Sequence, residues 1–174
     1  MYQATQVEQT MSAVMGVHHQ TLTLETVEGL QFIDITDSIK DIVAAAGIEY
    51  GWINIQTKHT TTAIIINEHE PLLLEDMKDL FERIAPQAHE YRHNDFEIRT
   101  VNMQPDESPN GHSHCRSLFL RASETINIVG GEMQLGRWQR IFFLELDCPR
   151  QRNVSVMVMG QSNTRLRIAR NGKA

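Results

Sequence analysis

Cysteine is scarce in this 174-residue chain: Cys115 and Cys148 are the only two. Two thiols cannot make a disulfide scaffold, so a reduced, cytoplasmic protein is the simple expectation. Long apolar runs are missing as well. No stretch approaches the roughly 18 residues of a spanning helix, so no membrane association is expected. Met1–Thr10 is polar and has no basic segment ahead of an apolar one, which argues against a secretory signal. There is no Gly-rich nucleotide loop, because Gly130-Gly131 has only the look of a hairpin turn. No His or Cys spacing matches a standard zinc signature. A positive excess is also absent. Sixteen Lys and Arg stand against 22 Asp and Glu, a net charge of −6, so nucleic acid is not an expected partner. Acid itself disappears after Asp147, while Arg150, Arg152, Arg165, Arg167, Arg170 and Lys173 follow. An anion site, pairing with a neighbouring subunit, or a solvated tail would each account for that asymmetry.

What is present is ordinary globular composition, long enough to bury a core and without internal repeats or linkers. The expectation is a single domain over 1–174, with 1–11 and 162–174 as flexible tails. Strands are expected at about Ser12–Leu24, Leu30–Ile35, Ile48–Thr57 and Ala63–Ile66, then at Thr125–Val129, Glu132–Leu135, Trp138–Leu146 and Val154–Met159. Trp138–Leu146 is the strongest, with Ile141, Phe143 and Glu145 on one face and Phe142, Leu144 and Leu146 on the other. Thr36 or Asp37 caps a short helix ended by Gly47. Pro71 opens a second helix, whose stripe of Leu73, Met77, Leu80, Phe81 and Ile84 reads as core. A third runs over about Gly111–Arg121, capped by Asn110, with Cys115, Leu118, Phe119 and Ala122 as its apolar stripe. The sum is an α+β fold, a largely antiparallel or mixed sheet with helices packed on one face. Trp52, Phe142 and Leu144 need further cover, and subunit association would supply it.

The stretch Asn110-Gly111-His112-Ser113-His114 reads as the centre of a site. It ends a long, aperiodic loop, and loops of that length in compact domains are often functional. His59, His112, His114 and His93, with Glu68, Asp76, Glu145 and Asp147, supply the parts of a nitrogen/oxygen metal site. The same groups can act without metal, as a histidine acid or base oriented by a carboxylate. Free N–H groups at Asn110–Gly111 would suit phosphate, and Arg150 and Arg152 could clamp one. Taken from the residues alone, Asp76 reads as a solvated carboxylate, and Trp138-Gln139 reads as packing before it reads as a ring-stacking pair. Cys148 has no neighbour in sequence that would make it a nucleophile.

Read together, several stretches resemble one family, the YjbQ-like proteins. They are His59-Thr60-Thr61 to Ile66-Asn67-Glu68, Asp76, Tyr91-Arg92-His93, Asn110–His114, Leu135-Gly136-Arg137-Trp138-Gln139, and Glu145–Arg152. They run in order from about residue 15 to 160. The resemblance implies a compact α+β subunit that assembles as a homotrimer, with a secondary thiamine-phosphate synthase activity. That reaction couples a pyrimidine carrying diphosphate to a thiazole phosphate and releases pyrophosphate. It implies catalytic roles for His59, Glu68, Asp76, Glu145 and Asp147. Substrate contacts would fall to Asn110, Gly111, Trp138, Gln139, Arg150 and Arg152. A divalent ion, zinc or magnesium, would sit on His59, His112 and His114. Cys148 and Arg140 stand where the family has Gly, and Arg137 where it has Thr. A Gly-to-Cys change in a turn needs a different backbone if φ was positive. A metal-dependent hydrolase and a non-catalytic ligand-binding subunit are the alternatives.

Overall fold

The computed structural model describes residues 14–162. The expected tail at 1–11, nearly all of that at 162–174, and Arg165, Arg167, Arg170 and Lys173 lie outside the described residues. The elements in order are β1 (Val14–Glu25), β2 (Gln31–Asp34), α1 (Thr36–Ala46), β3 (Ile48–Thr57), β4 (Thr62–Glu68) and α2 (Pro71–Ile84). After a single 3-10 turn at Arg92–Asn94 come α3 (Gly111–Ser117), β5 (Ser123–Val129), β6 (Glu132–Met133), β7 (Gln139–Glu145) and β8 (Gln151–Ser162).

The α+β class holds, and every strand pairing is antiparallel. The strands divide between two sheets, ordered β1-β8-β3-β5-β6 and β2-β7-β4. The division follows from β7. Its Ile141 and Phe143 enter the main core with Ile53, Ile55, Val156 and Val158 of the five-stranded sheet. Phe142 and Leu144 face the other way, against Phe81 of α2. A strand apolar on both faces needs cover on both, so α1 and α2 pack on opposite sides of the small sheet. α1 contributes Ile39, Ile42 and Val43 to the main core.

Local chemistry explains the helix ends. Asp34 caps α1 from two residues upstream, its Oδ1 accepting the Thr36 N–H (2.9 Å) and hydroxyl (2.6 Å). The expected caps, Thr36 and Asp37, are instead the first helical residues. The Glu70 carboxylate accepts the N–H groups of Leu72 and Leu73 at the start of α2, with Pro71 in the first turn. Gly130 and Gly131, at φ 62° and 80°, make the β5–β6 turn that a side chain would strain.

Two helical stripes differ from expectation. On α2, Phe81 is buried and Leu74 packs behind it, whereas Leu80 and Ile84 are exposed. α3 ends at Ser117, short of the expected Arg121, so Leu118 (81% exposed) and Phe119 (65%) lie past it, while His112, Ser113 and Arg116 within it are buried. Arg116 donates from Nε to the Ala85 carbonyl (3.0 Å) and pairs with Glu82. Those bonds satisfy a buried guanidinium and turn the polar side inward.

The outer face of β1, β8, β3 and β5 lacks formal charge over three registered rows, the first of which runs on to Glu132 in β6. They are Met15/Gln161/Tyr50/Val129, Val17/Met159/Trp52/Asn127 and His19/Met157/Asn54/Thr125. Val17, Met15 and Trp52 are exposed there.

Candidate functional site

The centre of the site is a buried ion pair at the C-terminal end of β7. Glu145 is 0% exposed, and Arg152 of β8 meets it in a two-pronged contact, with Nε and an Nη each 2.6 Å from a carboxylate oxygen. The Asp147 N–H also donates to Glu145, the Thr26 hydroxyl divides its one proton between Glu145 (3.2 Å) and the Arg150 carbonyl (3.0 Å), and Arg152 reaches the Thr61 hydroxyl at 3.3 Å. Full hydrogen bonding is what makes such a pair tolerable in a core.

His59 stands in the turn between β3 and β4, above this pair. Its Nε2 accepts the Asn153 backbone N–H at 3.0 Å. That nitrogen is therefore the lone-pair end, and Nδ1 carries the proton. Burial first, then the Arg152 guanidinium, lowers the pKa of the ring, so it is neutral at pH 7.

The α3 corner holds two more imidazoles. The Ser113 hydroxyl donates its single proton to the Leu146 carbonyl at 2.6 Å and lies 3.1 Å from His112 Nε2. His112 must then donate from Nε2, which leaves Nδ1 as a buried acceptor with no partner. Burial, then Arg116, lowers the His112 pKa. His114 is partly buried, with its ring edge-on to His93 at 4.7 Å. Burial, then His93, lowers its pKa too. His93 lies 3.7 Å from Glu107, beyond a hydrogen bond, and Arg99 binds Glu107 directly.

These pieces surround one cavity of about 570 Å³. His59, Asn110, His114, Asp147, Arg150 and Arg152 all line it. Asp147 holds Arg150 at 3.0 Å and receives a long contact, 3.5 Å, from the Asn110 amide. Arg150 also donates to the Cys148 thiol. Cys148 does not adopt a positive φ, so the Gly-to-Cys departure leaves no strain in the turn. Glu145 lies beneath the lining, and His112 behind it.

The remaining expected residues lie elsewhere. Glu68 and Gln139 are cross-strand partners, as Thr62 and Glu145 are at the opposite end of the same ladder. Six residues at about 3.3 Å each separate the two ends by roughly 20 Å. Trp138 is 61% exposed beside Gln139, and Asp76 is exposed on α2. The expected phosphate cradle at Gly111 is closed. Its N–H already donates to Asn94 Oδ1 (2.9 Å), and an added Cβ would fall 2.5 Å from that of Tyr91. Asn110 makes no side-chain cap. The Asn153 N–H takes the His59 lone pair, whereas His112 keeps its buried Nδ1 lone pair. Among the described residues no three His, Cys, Asp or Glu side chains, those of His59, His112 and His114 included, gather around a common point. Lys58, Thr61, Arg99 and Glu107 join the lining without having been singled out in the sequence. Arg99 and Glu107 lie in the long loop, so its length was the available signal.

Comparison with known proteins agrees with this architecture. Residues 20–161 match the family model described as UPF0047 protein YjbQ-like. A UPF0047 protein of Methanothermobacter thermautotrophicus is 37% identical over 84% of this chain and 95% of its own. The UPF0047 protein YugU of Bacillus subtilis is 33% identical over 81% and 98%. A crystal structure of a YbjQ-like protein of unknown function from Sulfolobus solfataricus superposes with a TM-score of 0.76 at 31% identity, covering 85% of this chain and all of that one.

Proposed function

The chain belongs to the UPF0047 YjbQ-like family, and from that premise we propose that it is an enzyme acting on small phosphorylated heterocycles in the 570 Å³ cavity. The form proposed is thiamine-phosphate-synthase-like: a pyrimidine carrying diphosphate couples to a thiazole phosphate, and pyrophosphate leaves. One observation carries the proposal. On a chain of net charge −6, the lining carries Lys58, Arg99, Arg150 and Arg152 against Asp106, Glu107 and Asp147, with three imidazoles among them. Arg99 and Arg152 are bound to Glu107 and Glu145. Lys58 is exposed, and Arg150, although one Nη is held by Asp147 and Cys148, is exposed as well; these two offer their remaining N–H groups to phosphate oxygens. His59 donates from Nδ1, and the neutral His114 ring accepts a proton. A zinc or magnesium ion would arrive on the diphosphate rather than on His59, His112 and His114, and no step is routed through it.

The assembly proposed is a homotrimer that covers the uncharged sheet face, where an ionic surface would need partners of opposite sign. The free thiols of Cys115 and Cys148 accord with a cytoplasmic setting.

The test is thiamine phosphate formation by the purified protein and by Arg150→Ala and His114→Ala. The wild type turns over, and Arg150→Ala loses roughly 10- to 100-fold in kcat/KM, the value of a charge-assisted hydrogen bond. Equal rates in all three proteins overturn the proposal. Phosphate release from one substrate alone selects a hydrolase, and binding without product selects a non-catalytic subunit.

A further inference from the structure

A second cavity, of about 490 Å³, lies at the opposite end of β7, between α1, the β5–β6 hairpin and the turn into β7. It is independent of the reading given to the first. We propose that it binds a small organic anion, an acceptor-rich charged head on a flat apolar body. The floor supplies the apolar part: Val43 is buried, and Met133 and Leu135 pack against the main core. The rim supplies hydrogen-bond donors. Arg137 lays its guanidinium 4.6 Å over the Trp138 ring and makes no ion pair among the described residues. Gln139 Oε1 accepts the Gly136 N–H at 2.7 Å, which fixes the amide and leaves Nε2 as the end free to donate. Lys40 is held only by Asp37, an exposed pair three residues apart that contributes little. Arg140 is committed to Asp34 and Asp37. Against these donors the lining has a single carboxylate, Glu132. The volume lies within the range of small-molecule sites, roughly 300–1,000 Å³.

The experiment is a titration of the full chain with 2-naphthyl phosphate, followed by calorimetry and by Trp138 emission, with 2-naphthol and inorganic phosphate alongside. Naphthyl phosphate binds the wild type and shifts the emission, and Trp138→Phe removes that signal. Arg137→Ser weakens binding about 10-fold or more, the expectation for a lost charge-assisted contact, while Arg150→Ala binds as the wild type does. Arg137 is exposed, so its replacement leaves the fold intact. Unchanged binding by Arg137→Ser, naphthol binding as tightly as its phosphate, or no binding to the wild type each overturns the proposal. Loss of binding in Arg150→Ala moves the probe to the other cavity and overturns it too. Thiamine phosphate formation by Arg137→Ser stays at the wild-type rate, which separates failure of this site from failure of the other.

Discussion

The two ends of β7 treat charge in opposite ways. At Glu145 the carboxylate has left water entirely, and the two-pronged Arg152 and the Asp147 N–H satisfy it. At Gln139–Arg140 the charges sit near the surface, where Arg140 bridges Asp34 and an exposed Asp37. The first arrangement is rigid, because each member holds another in place. The second leaves donors uncommitted. The contrast teaches that an ion pair positions a site when neither partner has water as an alternative.

The sharpest way to break the contrast is Glu145→Gln. It strands the Arg152 charge in the core, and chemical denaturation should show a loss of about 3–5 kcal/mol. At the other end, Asp37→Asn should leave the denaturation midpoint where it is, because solvent screens that pair. A comparable loss at both ends would erase the distinction. A smaller effect is expected from Ser113→Ala, which removes the acceptor of the His112 Nε2 proton and the donor to the Leu146 carbonyl. The cost is about 1–3 kcal/mol. Nitrogen-15 NMR of the imidazoles should show His112 moving away from its single Nε2–H tautomer, a change that lost packing alone does not cause.

The mildest effect is a pH slope at the surface end. Burial alone would raise the Asp34 pKa. Arg140, then Thr36 and His69, outweigh that and hold it well below the usual carboxylate range. The unfolded chain binds this proton first, so stability from Asp34 is complete above about pH 4 and is lost as pH falls through the folded value. Thermal melts from pH 5 to 2 should show a shallower acid slope for Asp34→Asn than for the wild type. The imidazoles add their own window. With folded pKa values below the ordinary imidazole value of 6.5, their contribution is complete above that pH and declines below it.

Much of the fold was legible in local pattern. The apolar residues on both faces of β7 marked a strand that needs cover on both sides, and Glu145 shares one of those faces with Ile141 and Phe143. Pro71, Gly47 and Gly130-Gly131 marked the boundaries they occupy. The partition into two sheets was not legible, because it depends on pairings such as Leu22 with Val154, which no window of sequence contains. α3 misled for a different reason. Leu118 and Phe119 fall at core spacing, but the helix ends at Ser117 before reaching them, and Arg116, bonded to the Ala85 carbonyl and Glu82, takes the inward side. The cavity lining was legible where residues lay in recognisable stretches, as with His59, His114 and Arg150. Lys58, Arg99 and Glu107 were not, since only the closed loop brings them to the same opening. Trp138 and Gln139 matched the same family pattern, yet strand length carries them to the far end of β7.

The placement of β8 between β1 and β3 bears on how the molecule is made. The strand that completes the large sheet follows every other described strand in the chain, and it belongs in the middle. Until β8 is available, β1 has no strand beside it and β3 has β5 alone. Such distant pairing is slow to form. The nascent chain is thus committed to a late, near-simultaneous collapse, and a premature stop within β8 would yield aggregation instead of a smaller native domain.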